Sequence, residues 1–100
     1  MEAYSVKTPV VLRDDYTMYL EFSYGLLWFH TDVRKWSPSV KVKYVEDLNL
    51  LHYLTGTPVV AMVKQSNKKL AKFGKLTGWT KQQETILNNG EKADIYMWSK

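Results

Sequence analysis

Side chains able to move protons are scarce in this 100-residue chain, and the most suggestive of them fall close together. His30 lies in the run Leu26 to Val33 (LLWFHTDV), two residues before Asp32. Residues two apart on a strand project from one face, so Trp28, His30 and Asp32 are expected side by side. An imidazole titrates near neutrality and suits general base work. Asp32 and, on the preceding strand, Glu21 are the other base candidates. The competing readings are a structural histidine in a central strand and an aspartate bonding a local amide at a strand end. His52 is the second histidine, far from the first and without paired carboxylates at ligand spacing, so no metal site is expected. The chain has no cysteine, which excludes a thiol nucleophile, a disulfide framework and Cys-ligated zinc. No nucleophile elbow supports a Ser-His-Asp triad.

Phosphate is the other chemistry in view. The net charge is +4, but residues 1–63 hold six basic and seven acidic side chains, whereas residues 64–100 hold eight and three. Lys64, Lys68, Lys69, Lys72, Lys75 and Lys81 follow one another with no acid between them. Such a stretch attracts phosphate, an acidic surface or nucleic acid; the plain alternative is a solvated helix face. Nucleic acid is the main non-enzymatic partner to weigh, although no aromatic-studded strand motif of an RNA-binding sheet is present.

These residues need a scaffold, and the length allows one domain, residues 1–100. A domain of this size buries only about 60–65% of its unfolded surface, so packing or a partner must compensate. No run approaches 18 apolar residues, so no membrane span is expected. The start carries Glu2 and lacks a basic then apolar run, so no signal peptide is read. With no cysteine, this suits a cytoplasmic protein.

Val10 to Leu12 reads as an early or edge strand and Asp14-Asp15 as a turn. Thr17 to Ser23 alternates, with Met18, Leu20 and Phe22 on one face and Tyr19, Glu21 and Ser23 on the other. Leu26 to Val33 is apolar on both faces at its start, as for a central strand covered on both sides. Ser37 fits an N-cap with Pro38 at the first helical position. A helix to Thr55 follows, with Val40, Tyr44, Leu48 and Leu51 on one face and Gly56 as its left-handed cap. Pro58 to Val63 is a buried strand, completing a right-handed βαβ unit. Asn67 caps a second helix ending at Gly78. Its Leu70, Phe73 and Leu76 are expected inward and Lys68, Lys72 and Lys75 outward. Thr80 to Leu87 and Ala93 to Trp98 form a hairpin around Asn88-Asn89-Gly90. The order is β-β-β-α-β-α-β-β: an α+β domain with a mixed, mainly antiparallel sheet, one parallel βαβ unit and two main helices.

The stretch Asn67-Lys-Lys-Leu70-Ala-Lys-Phe73-Gly74-Lys-Leu-Thr-Gly78-Trp79 resembles the last helix of the GNAT superfamily of N-acetyltransferases, whose pattern is N-x-x-A-x-x-L-Y-x-x-x-G-F. Asn67, Gly78 and Trp79 are in register, with Leu70 and Phe73 as apolar substitutes. The ending Asp94-Ile95-Tyr96-Met97-Trp98-Ser99 is similar to the family's closing strands, and to short GNAT-like proteins of bacteriophages. The resemblance covers Leu26 to Ser99 and implies a truncated GNAT-like architecture without the N-terminal elements.

It also implies acetyl-CoA as co-substrate and N-acetylation of an amine, such as a lysine of a host protein, in a bacterial host cytoplasm. Catalysis would use His30, Asp32 or Glu21. The coenzyme would meet Thr31, Val33, Arg34, Lys35, Ser37, Ser39, Val40, Lys41, Asn67 and Phe73. Two features depart from the pattern. The family's glycine-rich pyrophosphate loop is replaced by Arg34-Lys35-Trp36-Ser37-Pro38-Ser39-Val40-Lys41, where the helix N-terminus would offer the N–H groups of Ser39, Val40 and Lys41 instead. The tyrosine that serves the family as general acid is replaced by Gly74. The alternative these departures suggest is a degenerate GNAT-like protein that binds a host or virion partner. A homodimer is also expected from the exposed edges and aromatics of so small a sheet.

Overall fold

A computed structural model describes residues 6–98; Ser99, at the end of the closing strand pair, and the N-terminal stretch read for a leader lie outside them. The eight elements follow the expected order: β1 (Thr8–Leu12), β2 (Tyr16–Ser23), β3 (Leu26–Val33), α1 (Pro38–Thr55), β4 (Val59–Lys64), α2 (Lys68–Thr77), β5 (Thr80–Ile86) and β6 (Lys92–Trp98). They form an α+β domain with one six-stranded mixed sheet in the order β1-β2-β3-β4-β6-β5. Only β3 and β4 pair in parallel among the described strands.

Local chemistry accounts for the boundaries. β2 and β3 are joined through Tyr24 and Gly25, at φ 54° and 74°, the double left-handed turn that matches strand twist. Ser37 caps α1 by accepting from the Val40 N–H at 3.2 Å, and Pro38 occupies the first turn. Gly56, at φ 67°, closes α1 by donating its N–H to the His52 carbonyl. Asn67 caps α2 by accepting from the Leu70 N–H at 3.1 Å.

Both parallel crossovers, β3-α1-β4 and β4-α2-β5, advance in the same direction across the sheet. Right-handed connections of that kind place both helices on one face, and the contacts agree. Tyr44 of α1 meets Tyr16, His52 of α1 meets Trp98, and Trp98 donates its indole N–H to the Thr77 carbonyl of α2. The core lies between: Tyr16, Met18, Phe29, Val59 and Trp98 from the strands against Tyr44, Leu48 and Leu51 from α1, with Trp79 beside Phe29.

Two expectations are corrected here. β3 is not covered on both sides: no described helix packs on the face that carries Trp28, His30 and Asp32, and Leu26 is exposed there. Of its apolar start, Leu27 packs on the core of the helical face, while Trp28 is half-buried and donates its indole N–H to the Ser23 carbonyl. In α2, Phe73 packs inward as expected, but Leu70 and Leu76 are exposed and Ala71 and Thr77 face the sheet in their place. Trp98 crowds the end of the seam between α2 and the sheet, where a Cβ at Gly78 would come within 3.2 Å of its Nε1.

Pairing also buries a carboxylate that the sequence did not flag. Asp47 of α1 is 7% exposed and accepts from Arg13 Nε and Nη2 at 3.0 and 2.9 Å and from the Tyr16 hydroxyl at 2.5 Å. The cluster clamps the β1–β2 turn onto the helix.

Candidate functional site

β3 and β4 pair at only two positions, Leu27 with Val59 and Trp28 with Val60. Both strands then run on, β3 to Val33 and β4 to Lys64, without meeting. Their carboxyl ends lead into α1 and α2. A crevice between diverging parallel strands with helices starting at its mouth is the usual ligand position in open α/β sheets. Here it is a cleft of about 240 Å³. Phe29, Thr31, Ala61 and Val63 line it from the helical face, Phe73 and Gly74 from α2, and His30 and Met62 belong to the opposite face. Residues of both faces border one cavity, so the opening passes between the strands. Backbone groups turned toward it find no ladder partner across the gap and are available to a ligand.

His30 is half-buried on the bare face, with Nε2 2.8 Å from the Glu21 carboxylate on β2. Two of the expected base candidates are therefore one unit at the border of the cleft. Asp32 is not part of it: the side chain is exposed and accepts from Arg34 at 2.9 Å.

The expected phosphate groups are rearranged. The Arg34 guanidinium donates to Asp32, to the carbonyls of Asp14 and Arg13 and to the Thr17 hydroxyl, so it fastens the β1–β2 turn and is already engaged rather than free for a phosphate. Of the three amides expected at the start of α1, Val40 donates to Ser37 Oγ and Lys41 to the Ser37 carbonyl. The Ser39 amide is the remaining one, with the exposed Lys35 and Lys41 side chains on either side in sequence. The side chains of Ser37 and Asn67 serve as helix caps. Val40 is buried in the core, and Val33 packs against it. Thr31 donates its hydroxyl to the Thr17 carbonyl at 3.1 Å. Phe73 does line the cleft, with its ring 4.9 Å from Trp36 and 5.3 Å from Tyr44.

Tyr44, expected only as a core residue of α1, is the unforeseen member. It is fully buried and lines the cleft, yet its hydroxyl has no hydrogen-bond partner among the described residues. Tyr16, Trp36 and Phe73 hold its ring with edge contacts at 4.9, 5.6 and 5.3 Å. Burial raises the hydroxyl pKa well above the ordinary tyrosine value, opposed in part by the Thr31 hydroxyl. The available sequence signal was a tyrosine among valines and leucines, because a buried phenol normally has a partner. At Gly74 an added Cβ would meet Trp79 at 3.7 Å, an ordinary contact, so crowding does not require glycine. Its missing side chain leaves the cleft open.

The lysines from Lys64 to Lys81 divide into two groups. All six are exposed, but Lys64 pairs with Glu91 at 3.2 Å and Lys81 with Glu84 at 3.1 Å, and no ion pair is seen for the four lysines of α2 among the described residues. Lys81 also reaches Asp94 on the neighbouring strand β6, at 3.5 Å. A shallow hollow beside Lys68, Lys72 and Lys75 also contains Asp94, which accepts from Gln65 at 2.9 Å.

No family model matches the chain, and neither a curated protein nor a solved structure does. Among the described residues no three of His, Asp and Glu are grouped to hold a metal ion, and no helix is long and apolar enough to cross a membrane.

Proposed function

We propose that the cleft between β3 and β4 binds the acyl-thioester end of acetyl-CoA and transfers its acetyl group to an amine. The observation that carries this reading is the parting of the two parallel strands after Trp28 and Val60, which opens a slot bordered from both faces of the sheet. The slot is smaller than the roughly 300–1,000 Å³ of sites that enclose whole ligands, so it suits a slender arm with the nucleotide outside. The Ser39 amide and the Lys35 and Lys41 side chains lie at the start of α1, where the pyrophosphate would rest.

Chemically, the amine nitrogen forms a bond to the thioester carbonyl carbon, and the carbon–sulfur bond breaks with its electron pair leaving on sulfur. The ammonium proton must be removed first, and the Glu21–His30 pair stands on the open face from which an acceptor would approach. Because that face has no helical cover among the described residues, an amine on a macromolecule fits it, a host-protein lysine being the acceptor that the resemblance suggests. The bacteriophage setting and the bacterial cytoplasm are carried by that resemblance alone.

A second reading has its own observation. Arg34 is locked into the β1–β2 turn and two of the three expected amides are engaged, which leaves a thin pyrophosphate cradle. A GNAT-like protein that binds a partner without turnover would have this arrangement. Calorimetric titration with acetyl-CoA, followed by an acetylation assay on lysate proteins, separates the two. One-to-one binding with lysine acetylation supports the enzyme, binding without transfer supports the second reading, and no heat at millimolar acetyl-CoA removes the first.

A further inference from the structure

We infer that the chain carries its own acyl acceptor: the amine of Lys7 takes the acetyl group from the thioester in the β3–β4 cleft. This rests on the acyl-thioester reading above and names a substrate for it. Lys7 comes just before β1, and β2 and β3 lie between β1 and the opening. Lys7 nevertheless lines the cleft, together with His30 and Met62 of the bare face. On the helical side, the core and α1 fill the space above β2 and β3, so Lys7 must reach the cleft over the bare face. The Glu21–His30 pair stands on that same face. Lys7 is exposed, and no ion pair or hydrogen bond is seen for it among the described residues, whereas Lys64 and Lys81 are held by carboxylates.

A tethered amine at the mouth of the cleft has a large advantage over one in solution, because its attack is intramolecular. The ammonium first gives a proton to the Glu21–His30 pair, which passes it to solvent. Lys7 Nζ then bonds to the thioester carbonyl carbon, and the carbon–sulfur bond breaks with its electron pair leaving on sulfur. The thiolate takes a proton from solvent. The products are coenzyme A and a chain acetylated on Lys7. An amide nitrogen is no longer nucleophilic, so each chain reacts once. Lys68, Lys72 and Lys75 are also exposed, but they border the separate hollow beside Asp94 and serve as internal controls.

Incubation of the full chain with excess acetyl-CoA, followed by intact mass and peptide mapping, tests this without an added acceptor. Lys7 should be acetylated at least about tenfold faster than Lys68, Lys72 or Lys75, whose modification reports the uncatalysed reaction. With acetyl-CoA held constant, the fraction modified at a given time should not change when the protein is diluted about tenfold, as an intramolecular step requires. His30→Gln should slow the reaction at Lys7 at least about tenfold, and Lys7→Arg should abolish the fast phase. Equal rates at Lys7 and the control lysines, a modified fraction that falls on dilution, or an unchanged rate in His30→Gln would overturn the inference. Acetyl-CoA that binds in calorimetry and leaves Lys7 unmodified would overturn it too, with the cleft assignment still standing. Absence of binding at millimolar acetyl-CoA would overturn the acyl-thioester reading itself.

Discussion

Asp47 contributes to how the fold responds to acid. Burial works against its charge, but hydrogen bonds from Arg13 and Tyr16 and the nearby cations outweigh that, so its pKa lies below the usual aspartate value. A carboxylate with a depressed folded pKa contributes stability above its unfolded value, near 4, and loses it as pH falls through the folded value. Asp47→Asn should lower stability at pH 7 by about 1–3 kcal/mol, measured by urea denaturation, and its gap from the wild type should narrow below about pH 4. A gap that stays constant to pH 2 would show that the charge is not what matters. Tyr44 makes the opposite case: Tyr44→Phe keeps the three ring contacts and removes an unpartnered hydroxyl, so thermal unfolding should occur at the same temperature or higher. A fall of several degrees would mean that the hydroxyl is bonded in solution. Neither residue stood out in the sequence, because their partners come from elsewhere in the chain. Asp47 meets residues 31 and 34 positions away, and Tyr44 borders a cavity made by four other elements. His30 and Glu21 were legible as separate candidates from their residue types, but their pairing depends on the β2–β3 register.

Element boundaries were the most readable level, since each is set by a residue at its own end. Ser37-Pro38, Gly56, Asn67 and Gly78 all mark helix limits as their chemistry requires. The inward face of α2 was only partly readable: Phe73 packs inward as its spacing suggests, whereas Ala71 and Thr77 are inward where Leu70 and Leu76 were expected. The two capping glycines should respond differently to alanine. Gly56 faces open space, so Gly56→Ala should cost about 1–2 kcal/mol for its left-handed backbone. Gly78, at φ 105°, would place a Cβ 3.2 Å from Trp98 Nε1, whose hydrogen bond ends at Thr77. Gly78→Ala should cost about 2–4 kcal/mol, since crowding adds to backbone strain. Equal denaturation midpoints for the two variants would contradict this packing of α2 on Trp98.

At the scale of the molecule, the described residues form one sheet with one helical layer. The alternating strands did not reveal this, because Trp28, Tyr19, Met62 and Ile95 are apolar on the bare side as well. Both edge strands carry an irregularity in register, at Pro9/Val11 and at Lys81/Gln83, which disfavours edge-to-edge pairing and directs any association to the open face. Substitutions on the two faces should differ. Phe29→Ala, beneath Trp79, should cost about 3–5 kcal/mol, and Met62→Gln on the bare face less than about 0.5 kcal/mol. A Met62→Gln cost comparable to that of the core would reveal a second layer or a partner covering that face. The basic helix α2 supplies the rival use of the molecule, and binding to oligonucleotides that weakens steeply with salt would be its sign.

The cleft itself is tested most directly by following the backbone amide resonances of the labelled protein as acetyl-CoA is added. The cleft assignment predicts saturable shifts concentrated in residues 29–33 of β3, residues 60–64 of β4 and the first turn of α1. No shift at millimolar acetyl-CoA, or shifts confined to the lysine face of α2, would contradict it.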